Sequence, residues 1–363
     1  MNPERARRIV TWVPAAAAIV LLAVFPMITS GYFTSTVGMR SMWLGIAAAS
    51  LIFLAAYGGM VSLAQTALYG IAGFTFANVV ASEGGAQHNH VFGLQLGDNW
   101  DPWGGVVAAI VVTTLVGLFI GGLSARSEGI YFLMLTLALG VLIYYLFGQV
   151  ESLSGFGGVN QVPAPGIVGD PVKDPDNLYY TALLCSAFVY LLIKYIVRTP
   201  FGLALQGIRD DPIRMRTLGF NVGVHRALAF ALGAFIASIA GILSVWFNTQ
   251  ISPGSIDLVR TINVLAIAVV GGLYRIEGAW VGAFVFSLLD YAIHRWLDAF
   301  TILGNSFNGV ERFETWFGMI FLLIILISPG GLMGIWTSLE NAVLRALSRA
   351  GPEGPRTPAM EQQ

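Results

Sequence analysis

Charged side chains are scarce in this sequence of 363 residues. Asp, Glu, Lys and Arg together make up 11% of it, whereas soluble globular domains carry roughly 25%. Apolar residues make up 56%, and the mean hydropathy is +0.73. A chain of this length needs more polar surface to face water, so the composition excludes an ordinary soluble protein and indicates one embedded largely in lipid.

Cysteine and lysine are nearly absent. The single cysteine, Cys185, excludes an intramolecular disulfide. The two lysines, Lys173 and Lys194, follow Val and Ile, so the Gly-Lys pair of a nucleotide-binding P-loop does not occur. Paired carboxylates and His/Asp clusters deep within the apolar stretches are also lacking, so the sequence predicts neither an enzyme nor a metal or cofactor site. The net charge of −1 gives no indication of nucleic-acid binding.

Apolar stretches close to the 20 or so residues that cross a bilayer recur along the whole chain. Ten are predicted, at residues 10–29, 43–61, 63–82, 104–123, 129–150, 179–197, 226–247, 261–274, 278–296 and 313–327. The eighth and tenth are short, and the second and third are joined by a polar turn, so that pair is alternatively one broken element. The sequence therefore predicts an all-α polytopic membrane protein with a single transmembrane domain over residues 10–327.

The distribution of positive charge predicts the orientation of these spans. With residues 1–9 in the cytoplasm, 14 of the 19 Lys and Arg residues lie on the cytoplasmic side, as the positive-inside rule requires. Arg40 and Arg260 are among the five assigned outside. The tail, residues 328–363, is then cytoplasmic, and its Pro/Gly-rich end is expected to be partly disordered. Five spans precede the long loop 151–177 and five follow it, which predicts a 5+5 inverted repeat from counting alone.

The longest cytoplasmic segment, residues 198–226, is rich in arginine, and we term it the basic segment. Asp211 suits a helix N-cap, Pro212 the first helical position, and Gly219 a left-handed residue after the helix end. These signals predict a short helix at 212–218 after a helical turn at 203–208. Such a helix is either an ordinary loop helix or a docking element for another subunit, and the composition does not decide between them.

Ionisable residues within spans are the usual sign of ion-coupled transport, because a charge at mid-bilayer costs at least ~2.5 kcal/mol. Asp290 and His294 share a helical face near the outer end of the ninth span. They are either a proton relay or an interfacial pair whose members satisfy each other.

Polar residues gather at the turn between the second and third spans, where a helix break would free backbone groups to meet a polar solute. Ser62, Gln65 and Tyr69 are therefore the candidates for a translocation path. Tyr131, Thr136 and Asn263, in later spans, are weaker candidates for the same path.

Five blocks of the sequence resemble the permease of the branched-chain amino acid ABC importers, in particular its LivM-type subunit. The blocks occur in the family's order and read GGMVSLAQTALYGIAGF at 58–74, SARSEGIYFLMLTLALG at 124–140, TPFGLALQGIRDDPIRMRTLGFNV at 199–222, GGLYRIEGAWVGA at 271–283 and SPGGLMG at 328–334. Pro212 and Met215 depart from the acidic or alanine residues usual in the third block. The family's outer-loop motif appears only loosely, at 153–163.

The resemblance implies a non-enzymatic permease subunit of the cell inner membrane. Its implied partners are a LivH-type permease, two cytoplasmic ATP-binding subunits and an extracytoplasmic solute-binding protein. In that family the third block contacts the ATPase, which implies a coupling role here for Gly202, Ile208, Arg209, Asp210, Asp211, Arg214 and Gly219. Members carry branched-chain amino acids, urea, short amides or aromatic acids, so the solute stays open. The alternatives are an ion-coupled secondary transporter that uses Asp290 and a passive channel.

Overall fold

The computed structural model describes residues 22–80 (except 23, 27 and 30), 101–150, 153–169 (except 167), 175–296 and 313–338 (except 329), with four short strands outside these ranges. Almost all of this is helix, which confirms the all-α prediction. The helices are α1 (Gly31–Gly58), α2 (Gln65–Val80), α3 (Pro102–Ser124), α4 (Ile130–Gln149), α5 (Pro175–Arg198), α6 (Pro200–Asp210), α7 (Pro212–Thr217), α8 (Val222–Asn248), α9 (Leu258–Gly271), α10 (Gly278–Trp296) and α11 (Phe313–Ile327).

Seven helical stretches in the described part of the chain are long and apolar enough to cross a membrane. They comprise α1, α3, α4, most of α5, α8, α9 with the 3-10 turn Pro253–Ile256 before it, and the stretch Thr315–Ser338 that contains most of α11. The predicted span at 10–29 falls mostly outside the described residues, and the tail beyond residue 338 falls wholly outside them. The polytopic prediction is confirmed, and the count of ten stays a prediction.

The predicted helix bounds are right at one end of the chain and wrong at the other. Helices α10 and α11 begin and end at the predicted residues, 278–296 and 313–327. The span predicted to start at residue 43 instead belongs to α1, which begins at Gly31 and includes a π-helical turn, Thr34–Met39. Arg40 therefore lies inside a helix rather than in a loop. The helix continues through this charge because an ion pair with Asp290 of α10 balances it within the bundle.

Helices α1 and α8 form the centre of the bundle. The apolar stretch of α1 is 83% buried and that of α8 is 78% buried, against 28% for α3 and 22% for α4. Helix α8 packs against α1, α2 and α3, while α10 packs against α1 and α9. The outer faces of α3 and α4 expose large apolar side chains, including Leu115, Phe119 and Leu142. A helix surface of this kind faces lipid or the apolar helices of another protein.

Glycine permits close helix crossings in the core. Helix α2 crosses α8 at Gly241, where a Cβ atom would lie only 2.1 Å from the backbone oxygen of Tyr69. Helix α3 crosses α8 in a similar way through Gly117, where a Cβ atom would lie 2.2 Å from the Cβ of Ala234. Small residues let apolar helices approach until their backbones touch, which is how helices associate where water supplies no driving force.

The bundle has two distinct ends. Helices α6 and α7 lie where α1 finishes and α8 begins, and we term this the basic end. At the opposite end β3 (Val159–Asn160) pairs antiparallel with β4 (Gln250–Ile251), which fastens the loop after α4 to the chain that follows α8. We term this the cavity end. The other strands form two short antiparallel pairs, β1 (His90–Val91) with β2 (Leu94–Gln95) and β5 (Thr301–Ile302) with β6 (Asn305–Ser306).

Gly241→Ala should destabilise the folded chain, because its methyl group would overlap a backbone oxygen of α2 that only a helix shift can move. Overpacking of this kind costs about 1–3 kcal/mol, which we expect as a lower thermal-denaturation midpoint in detergent.

Gly122→Ala on α3 is the matched control, since no described atom lies within 4 Å of its added methyl group. Its midpoint should equal that of the wild type or exceed it slightly, because alanine favours a helix interior by roughly 0.5–1 kcal/mol over glycine. Equal midpoints for the two variants would refute the close crossing.

Candidate functional site

A cavity of about 660 Å³ opens at the cavity end, between α1, α2, α8, α9 and α10. One part of its wall is apolar and includes Leu44, Val264 and Phe286. The rest is polar and includes the described residues Tyr69, Ser244, Asn248, Gln250, Asn263, Arg40 and Arg260. The volume lies in the range of small-molecule sites, and the mixed wall suits a solute that is partly polar and partly apolar.

The part of the cavity wall next to α2 is a hydrogen-bonded layer that joins α1, α2 and α8. The hydroxyl groups of Tyr69 and Ser244 lie 2.6 Å apart, and the side-chain amide of Asn248 donates to the Ser244 backbone oxygen at 2.9 Å. The Trp43 ring stacks on Tyr69, with 5.8 Å between ring centroids and 15° between planes. A solute that passes from the cavity toward the basic end would have to displace this layer.

Two arginines give the cavity its charge. Arg40 forms an ion pair with Asp290, and its guanidinium lies 5.7 Å from the centre of the Phe286 ring. Arg260 is exposed, and no carboxylate in the described part of the chain pairs with its guanidinium. The described residues that line the cavity include no Asp or Glu. The cavity therefore carries an excess of positive charge.

Asp290, the acid on which an ion-coupled mechanism would depend, is engaged with Arg40 across two helices. Both side chains are largely buried, at 21% exposed for Arg40 and 12% for Asp290. The pair places two opposite charges in contact inside the bundle, where either one alone would be costly. The other member of the predicted pair, His294, has its side chain outside the described residues.

An interruption at residues 59–64 separates α1 from α2 and lies closer to the basic end than the cavity does. Gly59 takes the left-handed conformation that ends α1, at φ 65°. The freed amides find partners in the protein: Leu63 N–H donates to the Thr136 hydroxyl, and Ala64 N–H donates to the Ser62 hydroxyl, both at 3.2 Å. Ser62 and Thr136, predicted as path residues, thus satisfy the backbone of the break.

Gln65 begins α2 at this interruption and is only 2% exposed. Neither its amide nitrogen nor its amide oxygen has a hydrogen-bond partner among the described residues. Gln65 lies four residues, about one helical turn, before Tyr69, on the same face of α2. An unsatisfied amide in this position is a candidate contact for a polar solute or for water.

The six predicted path residues thus fall into three groups. Tyr69 and Asn263 line the cavity. Ser62, Gln65 and Thr136 surround the interruption beyond it. Tyr131 is 76% exposed near the start of α4 and lies apart from both places.

The arginines and Trp43 of the cavity are not among the site residues predicted from the sequence. There Arg40 and Arg260 were interpreted only as loop charges that set the orientation of the spans. The available signal was their position beside apolar stretches, since a charge there either faces lipid headgroups or points into the protein. Whether Arg40 faces lipid headgroups or the protein interior depends on Asp290, its partner 250 residues later in the sequence.

At the basic end, α6 is a rigid support held against two other helices. Gly202 lies so close to α5 that a Cβ atom would be 2.2 Å from the backbone oxygen of Ile196, and Ile208 is fully buried. Arg209 donates to the backbone oxygen of Ala56, near the end of α1, at 2.5 Å and pairs with the exposed Asp210 at 2.8 Å. The helical turn predicted at 203–208 is thus part of a complete helix that contacts the end of α1.

Helix α7 follows α6 and lies on the surface. Asp211 caps it by accepting from the backbone N–H groups of Ile213 and Arg214, each at 3.0 Å, and Gly219 follows it with φ +91°. The helix predicted at 212–218 is therefore confirmed as Pro212–Thr217. No residue of α7 is buried, and Ile213 is 72% exposed. The result is a short basic helix with an apolar residue on a rigid base, and Arg214 is exposed on it.

Ion pairs fasten other helices at the basic end. Lys194 of α5 pairs with Glu277, between α9 and α10, at 2.7 Å, and the Tyr190 hydroxyl donates to the same carboxylate at 3.0 Å. Burial by itself would raise the pKa of Glu277, but the hydrogen bonds and the charge of Lys194 outweigh it and hold the pKa below its ordinary value of 4.5. Arg226, at the start of α8, donates to Glu128 at 2.9 Å.

The apolar helix bundle, with seven described stretches long enough to cross a bilayer, is that of a multi-pass membrane protein. The chain belongs to the family described as branched-chain amino acid transport system / permease component, whose profile matches residues 33–329. The resemblance seen in the five sequence blocks is thereby confirmed.

Several curated proteins are similar to this chain. The LivM high-affinity branched-chain amino acid transport system permease of Salmonella typhimurium is 26% identical over 281 residues, which are 71% of this chain and 62% of that protein. LivM of Escherichia coli K12 is 26% identical over 282 residues, with the same coverage. BraD of Pseudomonas aeruginosa is 27% identical over 237 residues, which are 62% of this chain and 73% of that protein. The chain thus spans less than two thirds of the length of the two LivM proteins, and no solved structure matches it.

Glu277→Gln should destabilise the chain at neutral pH and have little effect in acid. The pKa of Glu277 is lower in the folded state than in the unfolded state, so its charge stabilises the fold above pH 4.5 and ceases to do so as the pH falls through the folded-state pKa. We expect the difference in denaturation midpoint between wild type and variant, measured in detergent, to shrink toward zero across that range. A difference that stays constant with pH would contradict the ion pair.

Proposed function

We propose that the chain is the permease subunit of an ATP-binding-cassette importer in the cell inner membrane. It forms the translocation path for branched-chain amino acids or a related small polar solute. ATP is hydrolysed on separate subunits. The family match and the names of the relatives support this assignment, since they describe permeases of branched-chain amino acid transport.

The contact between Arg209 and the backbone oxygen of Ala56 is the observation that carries the proposal. It joins the surface segment α6–α7 to the end of α1, next to the interruption at 59–64. Helix α2 starts after this interruption and carries Gln65 and then Tyr69, which lines the cavity. A displacement of α6 and α7 would therefore pass through the interrupted helix to the cavity, as coupling to a distant ATPase requires.

Helix α7 is the proposed docking element for the ATPase. It has no buried residue, is capped at both ends and packs on α6 through Met215 next to Gly207, so a force on it is passed to α6. The proposed coupling residues are Gly202, Ile208, Arg209, Asp210, Asp211, Arg214 and Gly219. The complete assembly would include a LivH-type permease, two cytoplasmic ATP-binding subunits and an extracytoplasmic solute-binding protein.

We propose ten transmembrane helices in two inverted halves of five, with both termini in the cytoplasm. Paired features support this arrangement. The two longest described helices, α1 with 28 residues and α8 with 27, are each followed by an interruption and a short helix, α2 with 16 residues and α9 with 14. The helix that follows the short one in each half packs on the long helix of the other half: α3 packs on α8, and α10 packs on α1. The two interruptions lie at opposite ends of the bundle, as inversion requires.

Concentrative uptake should require the assembled importer. Proteoliposomes that contain this chain, its partner permease, both ATPase subunits, internal ATP and the solute-binding protein should accumulate labelled leucine above the external concentration, whether or not a proton gradient is dissipated by an uncoupler. Liposomes with this chain alone should not accumulate it.

Two outcomes of this experiment would favour the alternatives. Accumulation by the chain alone that an uncoupler abolishes would indicate an ion-coupled secondary transporter that uses Asp290. Equilibration that never exceeds the external concentration, with or without ATP, would indicate a passive channel.

Docking and transmission should be separable by mutation. Arg214→Glu with Arg216→Glu should abolish co-purification of the ATPase subunits, because the exposed face of α7 changes from basic to acidic. Arg214→Lys with Arg216→Lys keeps the charge and should retain the complex.

Arg209→Gln should retain the complex but lose solute-stimulated ATP hydrolysis, since it removes the contact with the Ala56 oxygen. Normal stimulation in the Arg209 variant would remove the coupling role of that contact.

A further inference from the structure

We propose that the cavity at the cavity end is itself a selective solute site, in which Arg260 binds a carboxylate group of the transported molecule. The inference rests on the proposed transport function and deepens it. It assigns the solute to the carboxylate-bearing class, which includes amino acids and aromatic acids, rather than to neutral amides or urea. It also places part of the selectivity in the permease rather than solely in a separate binding protein.

The position of Arg260 leaves its guanidinium available to a ligand. Asp257 caps α9 by accepting the backbone N–H of Arg260 at 2.8 Å, so this neighbouring carboxylate is engaged with the helix backbone. Among the described residues, no carboxylate lies within ion-pair distance of the Arg260 guanidinium, although the side chain lines the cavity. A planar guanidinium matches a carboxylate with two parallel hydrogen bonds.

Arg40 serves a different purpose in the same wall. Asp290 balances its charge, and its guanidinium lies beside the ring of Phe286, so its orientation is fixed by the protein. The described lining contributes no other acid. The excess positive charge of the cavity therefore comes from Arg260, and the field in the cavity favours an anionic group over a neutral or cationic one.

Other parts of the lining suit an apolar side chain. Trp43 stacks on Tyr69, and Leu44, Val264 and Phe286 also line the cavity. A molecule with a carboxylate at Arg260 and a branched or aromatic group against these residues would use both kinds of wall. At about 660 Å³ the cavity exceeds the volume of one such molecule, so we expect weak binding that allows release, as a transport path requires.

An amino group on the solute has only uncharged acceptors. The hydroxyl oxygens of Tyr69 and Ser244 and the amide oxygen of Asn263 lie in the lining, without a carboxylate among the described residues. Recognition should therefore depend on the carboxylate and tolerate loss of the amino group. This separates the proposed site from one that reads a whole zwitterion.

The test is direct binding to the full chain in lipid nanodiscs, without ATPase subunits, so it does not depend on coupling. Labelled L-leucine should bind saturably at millimolar concentration. Isovalerate, which keeps the isobutyl group and the carboxylate but lacks the α-carbon with its amino group, should compete with it. Leucinamide, which replaces the carboxylate by a neutral amide, should compete at least about 10-fold more weakly.

Arg260→Gln should weaken leucine and isovalerate binding by about 10-fold or more, and it should remove the preference over leucinamide. Arg260→Lys should keep part of that preference, because it keeps the charge but not the planar fork. Arg295→Gln is the matched control, since it removes an exposed arginine of α10 that is not among the described residues lining the cavity. All variants should match the wild type in size-exclusion profile and denaturation midpoint.

Absence of saturable leucine binding at millimolar concentration, equal competition by leucinamide and isovalerate, or an unchanged preference in Arg260→Gln would each overturn the inference. Failure of ATP-dependent uptake in the reconstituted assembly, with binding and its Arg260 dependence intact, would instead contradict the proposed coupling to an ATPase. The two failures are therefore distinguishable.

Discussion

The arrangement of this bundle depends on how it satisfies the backbone where a helix is broken. Lipid offers no hydrogen bonds, so irregular backbone is tolerated within a membrane protein only where the protein or enclosed water supplies partners. Between α1 and α2 these partners come from the Thr136 and Ser62 hydroxyls and from the Leu54 backbone oxygen. Because α4 contributes Thr136, the Leu63 amide at the break has this partner only when α4 is docked. The interruption is thus a product of tertiary structure and not of the local sequence alone.

The same constraint explains why the polar residues of the chain fall where they do. Charge and polarity occur at the basic end, at the interruption and around the cavity, while α3, α4 and α5 present apolar surfaces. Arg40 and Asp290 meet inside the bundle because each would be costly there without the other. This pair also ties α1 to α10, so one contact both neutralises the charge and fixes the position of two helices.

Much of the fold was predictable because its signals are local. Runs of apolar residues located α10 and α11 to the residue, and the cap Asp211 with Pro212 located α7. The cavity was only partly predictable. Tyr69 and Asn263 were found from polarity within apolar stretches, but Arg260 and Trp43 join them through contacts between helices far apart in sequence. The start of α1 was misplaced for a related reason, since the partner of Arg40 is 250 residues away.

The length of α1 has a mechanical consequence. Its 28 residues make a rod of about 40 Å, held near one end by Arg209 at Ala56 and carrying Arg40 and Trp43 in the cavity wall between its middle and its other end. If such a rod pivots by about 5° around Ala56, the positions of Arg40 and Trp43, roughly 20 Å or more away, move by about 2 Å. A small tilt at one face of the membrane is thus amplified by leverage into a change of cavity width at the other.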